Sequence, residues 1–239
     1  GLDNVIGIKL VRPKSLVVVG ARPKMGKTAM LAGMVKSFGL EQKKAVALFS
    51  LEMPSDQIME RMLCERANVN GDMFYEGGHD EDFAKVSAAM GEYSNSQVYM
   101  DDTAGITINH VKSEVRKLAK KQPLGLIAID YLTLMEAEKA DRNDLAYGII
   151  TKELKKLAKE LDCVVLLLTQ LNRSLEQRTN KRPMPSDSRD TGQIEQDCDL
   201  WIGLYREAVY NDEIPPEQQG LTEAIVRLNR HGNAGTAYF

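Results

Sequence analysis

GARPKMGKT, Gly20–Thr28, follows the apolar run LVVVG (Leu16–Gly20) and opens an apolar, helix-favouring stretch that runs through Phe38. Strand, glycine-bearing loop and helix in that order are the context a phosphate-binding loop requires. The chemistry follows from the order. Backbone N–H groups at a helix N-terminus converge on the phosphates of a nucleotide, the Lys27 ammonium reaches the β and γ oxygens, and the Thr28 hydroxyl joins a Mg²⁺ shell. Gly20, Ala21, Arg22, Pro23, Lys24, Met25, Gly26, Lys27 and Thr28 are therefore candidate contacts for ATP or GTP. The pattern G-x-x-x-x-G-K-[ST] is broken once: its first glycine is Ala21 here, with Gly20 one place earlier.

Outward from this loop, apolar runs and helical spacings alternate. AVALFSLE (Ala45–Glu52) reads as a strand, and Pro54 stands at the first turn of a helix that continues through Asp56–Ala67. Asn68–Asp80 is glycine-rich and irregular, Glu81–Tyr93 is helical, and QVYMDD (Gln97–Asp102) is a strand. Thr107–Lys121 is an amphipathic helix, GLIAID (Gly125–Asp130) a buried strand, and the stretch to about Asn143 irregular. Leu145, Ile149, Leu154, Leu157, Ala158 and Leu161 recur at helical spacing before the strand CVVLLLTQ (Cys163–Gln170). Leu171–Gln193 is polar and reads as a long loop. DLWIGLY (Asp199–Tyr205), EAIVRLN (Glu223–Asn229) and GTAYF (Gly235–Phe239) close the chain as strands with no long helix between them. The pattern predicts an α/β fold with a mostly parallel central sheet flanked by helices and finished by antiparallel C-terminal strands.

The 239 residues suit one large domain, and no linker-like stretch divides them. The formal net charge of -3 excludes a generally basic protein, so contact with nucleic acid has to be local. Cys64, Cys163 and Cys198 match no metal spacing and no disulfide framework, which fits a reducing cytosol. Apolar runs such as Cys163–Leu168 are too short to span a bilayer, and no signal-peptide pattern opens the chain. The first residues, GLDNVIGIKL, lack a start methionine, so the chain is expected to be a fragment of a longer protein or to carry a processed end.

In an open α/β sheet ligands sit beyond the carboxyl ends of the strands. Asp130, ending a wholly apolar strand, is placed to hold Mg²⁺ between β and γ phosphates, or else to cap a helix. Glu52 either polarises an attacking water or caps the helix after Pro54. Gln170 either senses a γ-phosphate or turns the chain. Arg230, after a late strand, reads as a surface arginine or as a catalytic one. From Arg173 to Asp190 five basic residues (Arg173, Arg178, Lys181, Arg182, Arg189) face three acidic ones, a modest cationic excess suited to phosphate contacts or simply to a solvated loop.

Taken together, GARPKMGKT, FSLEMP (Phe49–Pro54), LIAIDYLTLM (Leu126–Met135), LTQLNRSLEQR (Leu168–Arg178), KRP (Lys181–Pro183) and IEQDCDL (Ile194–Leu200) resemble the DnaB-type replicative DNA helicases of bacteria and phages, specifically their C-terminal RecA-like motor domain. The resemblance covers nearly the whole chain in order, and GLDN is similar to the segment after that family's interdomain linker. It implies that residues 1–239 form a RecA-like P-loop NTPase motor lacking its N-terminal domain. It implies Lys27 and Thr28 on phosphates and Mg²⁺, Asp130 as the metal-organising acid, Glu52 as general base and Gln170 as γ-phosphate sensor. Arg230, in LNRHGNAGT, resembles an arginine finger that enters the neighbouring subunit's site, and Arg206, in LYR, a residue near the nucleotide base. Arg189, Asp190 and Gly192, within SDSRDTG (Ser186–Gly192), fall where the family's channel loop touches the DNA backbone.

Two departures stand out. Leu228 replaces the lysine expected two residues before the finger, with Arg227 adjacent, and SDSRDTG replaces SDLRESG. The implied activity is an ATP- and Mg²⁺-dependent helicase that moves on single-stranded DNA as a homo-oligomeric, hexameric ring in the cytoplasm, with primase and a helicase loader as candidate partners and no membrane. The rival readings are a filament-forming RecA-like recombination ATPase and a nucleotide-dependent scaffold that does not translocate. A small-molecule kinase would need an acceptor pocket and a lid, and neither is recognisable.

Overall fold

The computed structural model describes residues 12–132, 135, 143–188, 191–211 and 213–239. One eight-stranded sheet organises them, in the order β3-β2-β4-β5-β1-β6-β7-β8. The strands are β1 (Leu16–Ala21), β2 (Ala45–Ser50), β3 (Val98–Asp101), β4 (Leu124–Asp130), β5 (Val164–Gln170), β6 (Leu200–Tyr205), β7 (Glu223–Asn229) and β8 (Gly235–Tyr238). The helices are α1 (Lys27–Lys36), α2 (Ser55–Ala67), α3 (Met73–Glu76), α4 (Asp80–Ser94), α5 (Ile108–Ala119), α6 (Asn143–Glu160) and α7 (Thr191–Asp197).

The first six strands pair in parallel, and β7 and β8 return antiparallel. Strands covered on both faces need apolar residues at every position, and β1, β2 and β6 are buried throughout. Their alternation splits the core in two. Val17, Val19 and Ala21 of β1 pack with α1, α2 and α4 on one face, while Leu16 and Val18 pack with α5 and α6 on the other. Trp201, fully buried, anchors the second layer.

Several boundaries differ from expectation, for local reasons. The second strand stops at Ser50, so Glu52 lies in the turn after it. Pro54 is the residue before α2, and the first helical N–H, from Ser55, is taken by the Asp102 carboxylate at 2.8 Å from beyond β3. After α1 the chain passes into a π-helical turn over Ser37–Glu41. The glycine-rich stretch 68–80 contains the short α3, whose Met73 side chain reaches the core. The expected loop 171–193 carries 3-10 turns at Arg173–Gln177 and Pro185–Asp187, and α7 begins inside it. The expected irregular stretch before Asn143 lies mostly outside the described residues, as does GLDN. Among the described residues no helix is long and apolar enough to cross a membrane.

Candidate nucleotide site

Because β1, β2, β4, β5 and β6 run in parallel, their carboxyl ends share one edge of the sheet. The register sets Ala21 opposite both Gln170 and Leu204, and Ser50 opposite Asp130. The phosphate loop leaves β1 at this edge, where the strand order changes direction. Gly26 there adopts φ 91°, a left-handed conformation open to glycine at little cost. It is the residue before α1, and no side chain caps that helix. The first-turn N–H groups are thus free for an anion, which is how a helix N-terminus receives phosphate.

A cavity of about 640 Å³ opens at this edge, within the range of small-molecule sites. Of the expected residues, Ala21, Arg22, Pro23, Lys24, Gly26, Lys27, Thr28, Glu52, Gln170 and Arg206 line it. Lys27 is the focus of charge. Its ammonium lies 3.3 Å from a Glu52 oxygen, 3.2 Å from Asp130 Oδ1 and 4.1 Å from the centre of the Tyr131 ring. Asp130 is 1% exposed, and its Oδ1 has an ion-pair contact with Lys27 whose angles do not make a directed hydrogen bond. Burial pushes the Asp130 carboxyl above its ordinary range, against the opposing pull of Lys27. A buried carboxylate oxygen short of partners suits a hard divalent cation. Glu52 caps no helix, and its half-exposed carboxylate is held by Lys27.

Other expected residues lie elsewhere. Gly20 sits inside β1, where a Cβ would meet Leu171 Cδ2 and the Trp201 ring at 2.8 Å; it is a packing residue. Met25 is buried, and its sulfur accepts the Arg206 N–H at 3.3 Å, which ties the phosphate loop to the end of β6. Arg230 follows β7, and its N–H donates to Asp199 O at 2.9 Å beside the start of β6. That is the end of the sheet opposite the cavity. Its exposed side chain reaches Gln196 O. Leu228 packs against the second core layer, and Arg227, at an irregularity in the β6–β7 register, donates to Pro183 O at 3.1 Å. Arg189 and Asp190 lie outside the described residues; Gly192 falls in α7.

Sequence reading missed one wall of the cavity, formed by Met53 and by Glu60, Arg61, Cys64 and Glu65 of α2. The i, i+1, i+4, i+5 spacing of those four marks one helix face, but nothing local says that the face borders a cavity rather than solvent.

A family model described as the DnaB-like helicase C-terminal domain matches residues 2–239. The chain belongs to that family. It is 40% identical over 224 residues to the replicative DNA helicase DnaC of Bacillus subtilis (strain 168), covering 92% of this chain and 49% of that protein. With the replicative DNA helicase DnaB of Pasteurella multocida (strain Pm70) it shares 41% identity over 230 residues, 94% of this chain and 49% of the relative. The chain thus spans about half the length of these relatives. Among solved structures it is similar to one described as an ATPase domain, with TM-score 0.89, 37% identity and coverage of 95% of this chain and 81% of that one. A DnaB-like replicative helicase, described with its interactions with primase, matches with TM-score 0.91 and 37% identity over 99% of this chain and 58% of that chain. The expected RecA-like α/β fold is the one observed.

Proposed function

We propose that residues 1–239 are the motor domain of a replicative DNA helicase that hydrolyses ATP and moves on single-stranded DNA as a closed ring of identical subunits, six in number, in the cytoplasm. Primase and a loader are its proposed partners; a solved relative of this family is described with its interactions with primase.

The observation that carries the reading is the separation of Arg230 from the cavity. Lys27, Glu52 and Gln170 line one edge of the sheet with Asp130 beside them, while Arg230 lies beyond the opposite end of β6. Six residues of strand at about 3.3 Å each put roughly 20 Å between those ends. Such an arginine cannot serve its own cavity, but it can serve a neighbour's in a head-to-tail ring. An arginine supplied in trans is worth on the order of 10³–10⁵ in rate.

The residues present suit the chemistry. Phosphate oxygens compete for the Lys27 ammonium, and Glu52, released from that ion pair, is exposed enough to take a proton from the attacking water. Asp130 and Thr28 would hold Mg²⁺, which supplies neutralisation of charge between the β and γ phosphates. Gln170 lines the cavity at the last position of β5 and leads directly into the basic loop, so one strand end borders both the cavity and the segment proposed to follow DNA. Arg189, Asp190 and Gly192 are the proposed backbone contacts, which need no base readout.

The test is ATP hydrolysis across protein concentration, with and without single-stranded DNA, and with Glu52→Gln as control. Turnover that rises more than linearly with protein, responds to DNA and disappears in the variant supports the motor. Nucleotide binding in assembled protein without DNA-stimulated turnover supports a scaffold instead.

A further inference from the structure

The segment after Gln170 is closed on itself. Leu171 and Ser188 form an antiparallel bridge, and Asn172 N–H donates to Asp187 O at 2.8 Å. The buried Asp187 carboxylate accepts from Arg178 Nη2 and from Met184 N–H, both at 2.7 Å. On its far side this loop is fastened to β7, where Arg182 grips Glu223 with Nε at 2.8 Å and Nη2 at 2.5 Å. Residues 171–188 therefore form a braced unit, and a displacement at its base is passed on instead of being absorbed by a slack chain.

Its base is held by the phosphate loop. Arg22, only 9% exposed, donates from Nε to Glu176 Oε1 at 2.8 Å and from Nη1 to Leu171 O at 2.9 Å. A cation at that depth persists where it is both paired and hydrogen-bonded. Arg22 thus lines the nucleotide cavity while its donors reach across about 150 positions of sequence to the loop behind Gln170. Gln170 and Arg22 give two separate connections from the cavity to the same loop, one through the chain and one through a side chain.

We propose that Arg22 and Glu176 form a latch that couples the phosphate loop to the 171–188 loop, with Glu176 a positioning residue for the DNA-dependent step. The latch rests on the motor reading above. It is fixed in direction: Glu176 contacts the P-loop arginine and not the cavity, so its loss disturbs the coupling before it disturbs nucleotide binding.

Glu176→Ala tests it, with Glu176→Gln as a second variant that retains a neutral acceptor for Arg22. The measurements are kcat and KM for ATP with and without single-stranded DNA, at protein concentrations where turnover per subunit has stopped rising. The latch predicts DNA-free kcat and KM within about twofold of wild type, DNA-stimulated kcat lower by about fivefold in Glu176→Ala, and Glu176→Gln between the two. DNA stimulation equal to wild type in both variants overturns it. So does an equal fall with and without DNA, or a raised KM, either of which would make the pair a support of the cavity itself. A wild-type protein whose turnover ignores DNA removes the motor reading and the latch together, whereas a DNA-responsive wild type matched by Glu176→Ala removes the latch alone.

Discussion

Asp199, at the start of β6, joins three parts of the molecule, and its removal should be costly in a graded way. Its Oδ2 accepts the Leu16 N–H at 2.7 Å and pairs with the Lys155 ammonium from α6; its own N–H donates to Leu16 O at 2.9 Å, and its carbonyl receives the Arg230 N–H at 2.9 Å. The residue is 5% exposed, and the Lys155 side chain 19%. Asp199→Ala leaves the Leu16 N–H without an acceptor inside the sheet and strips a largely buried ammonium of its charge partner. Breaking a buried pair costs about 3–5 kcal/mol, and Lys155, which keeps the Lys14 carbonyl at 3.0 Å, holds the loss toward the lower figure. Asp199→Asn restores an acceptor for Leu16 and gives up only the charge, so a loss of about 1–2 kcal/mol follows. With a urea m-value near 3 kcal/mol/M for a domain of this size, the midpoint should fall by roughly 1 M for Ala and by about half that for Asn. Urea unfolding followed by far-ultraviolet circular dichroism measures both. Equal losses for the two variants, or a loss below about 1 kcal/mol for Ala, would refute the reasoning.

Gly20→Ala should cost about 1–3 kcal/mol, since the new methyl meets the rigid, buried Trp201 ring at 2.8 Å; thermal unfolding checks it, and an unchanged Tm would show that the site has room. Hydrogen bonds from Lys112, at 2.5 Å, and then from Lys156 hold the Glu153 carboxyl down to about 2. A depressed folded-state value contributes stability that is complete above the unfolded carboxyl's value near 4.3 and is lost as pH falls toward 2, so Glu153→Gln should flatten the stability profile over that interval. Burial pushes the Cys163 and Cys198 thiols up to about 12, so at pH 8 a thiol reagent should modify neither before unfolding; rapid native labelling of both, read by mass spectrometry, would contradict their placement.

The sheet was legible because strands covered on both faces are apolar throughout, and LVVVGA, AVALFS and LWIGLY carry that signature without competition. The cavity's edge was legible for the same reason: Asp130 and Gln170 close long, almost wholly apolar runs, and parallel pairing brings strand ends together. What escaped depends on neighbours distant in sequence. Asn70-Gly71 and Gly77-Gly78 mask α3, whose helix is secured by Met73 reaching the core. Gly20 reads as the displaced motif glycine, yet Leu171 and Trp201 determine why it is small. Arg22 reads as one more loop cation until Glu176 and Leu171, far along the chain, explain its burial. Arg61 and Glu60 border the cavity through the packing of α2 against α1, which no local pattern encodes.

The central claim is that each ATP site is shared between subunits, with Glu52 from one and Arg230 from the next. Mixing Glu52→Gln with Arg230→Ala, each inactive alone, tests it most directly. Random assembly at equal amounts rebuilds intact interfaces between unlike neighbours, about one in four, and DNA-stimulated hydrolysis should return to a corresponding fraction of wild type. Mixtures confirmed to contain both variants in one assembly, yet no more active than either alone, would contradict the shared site.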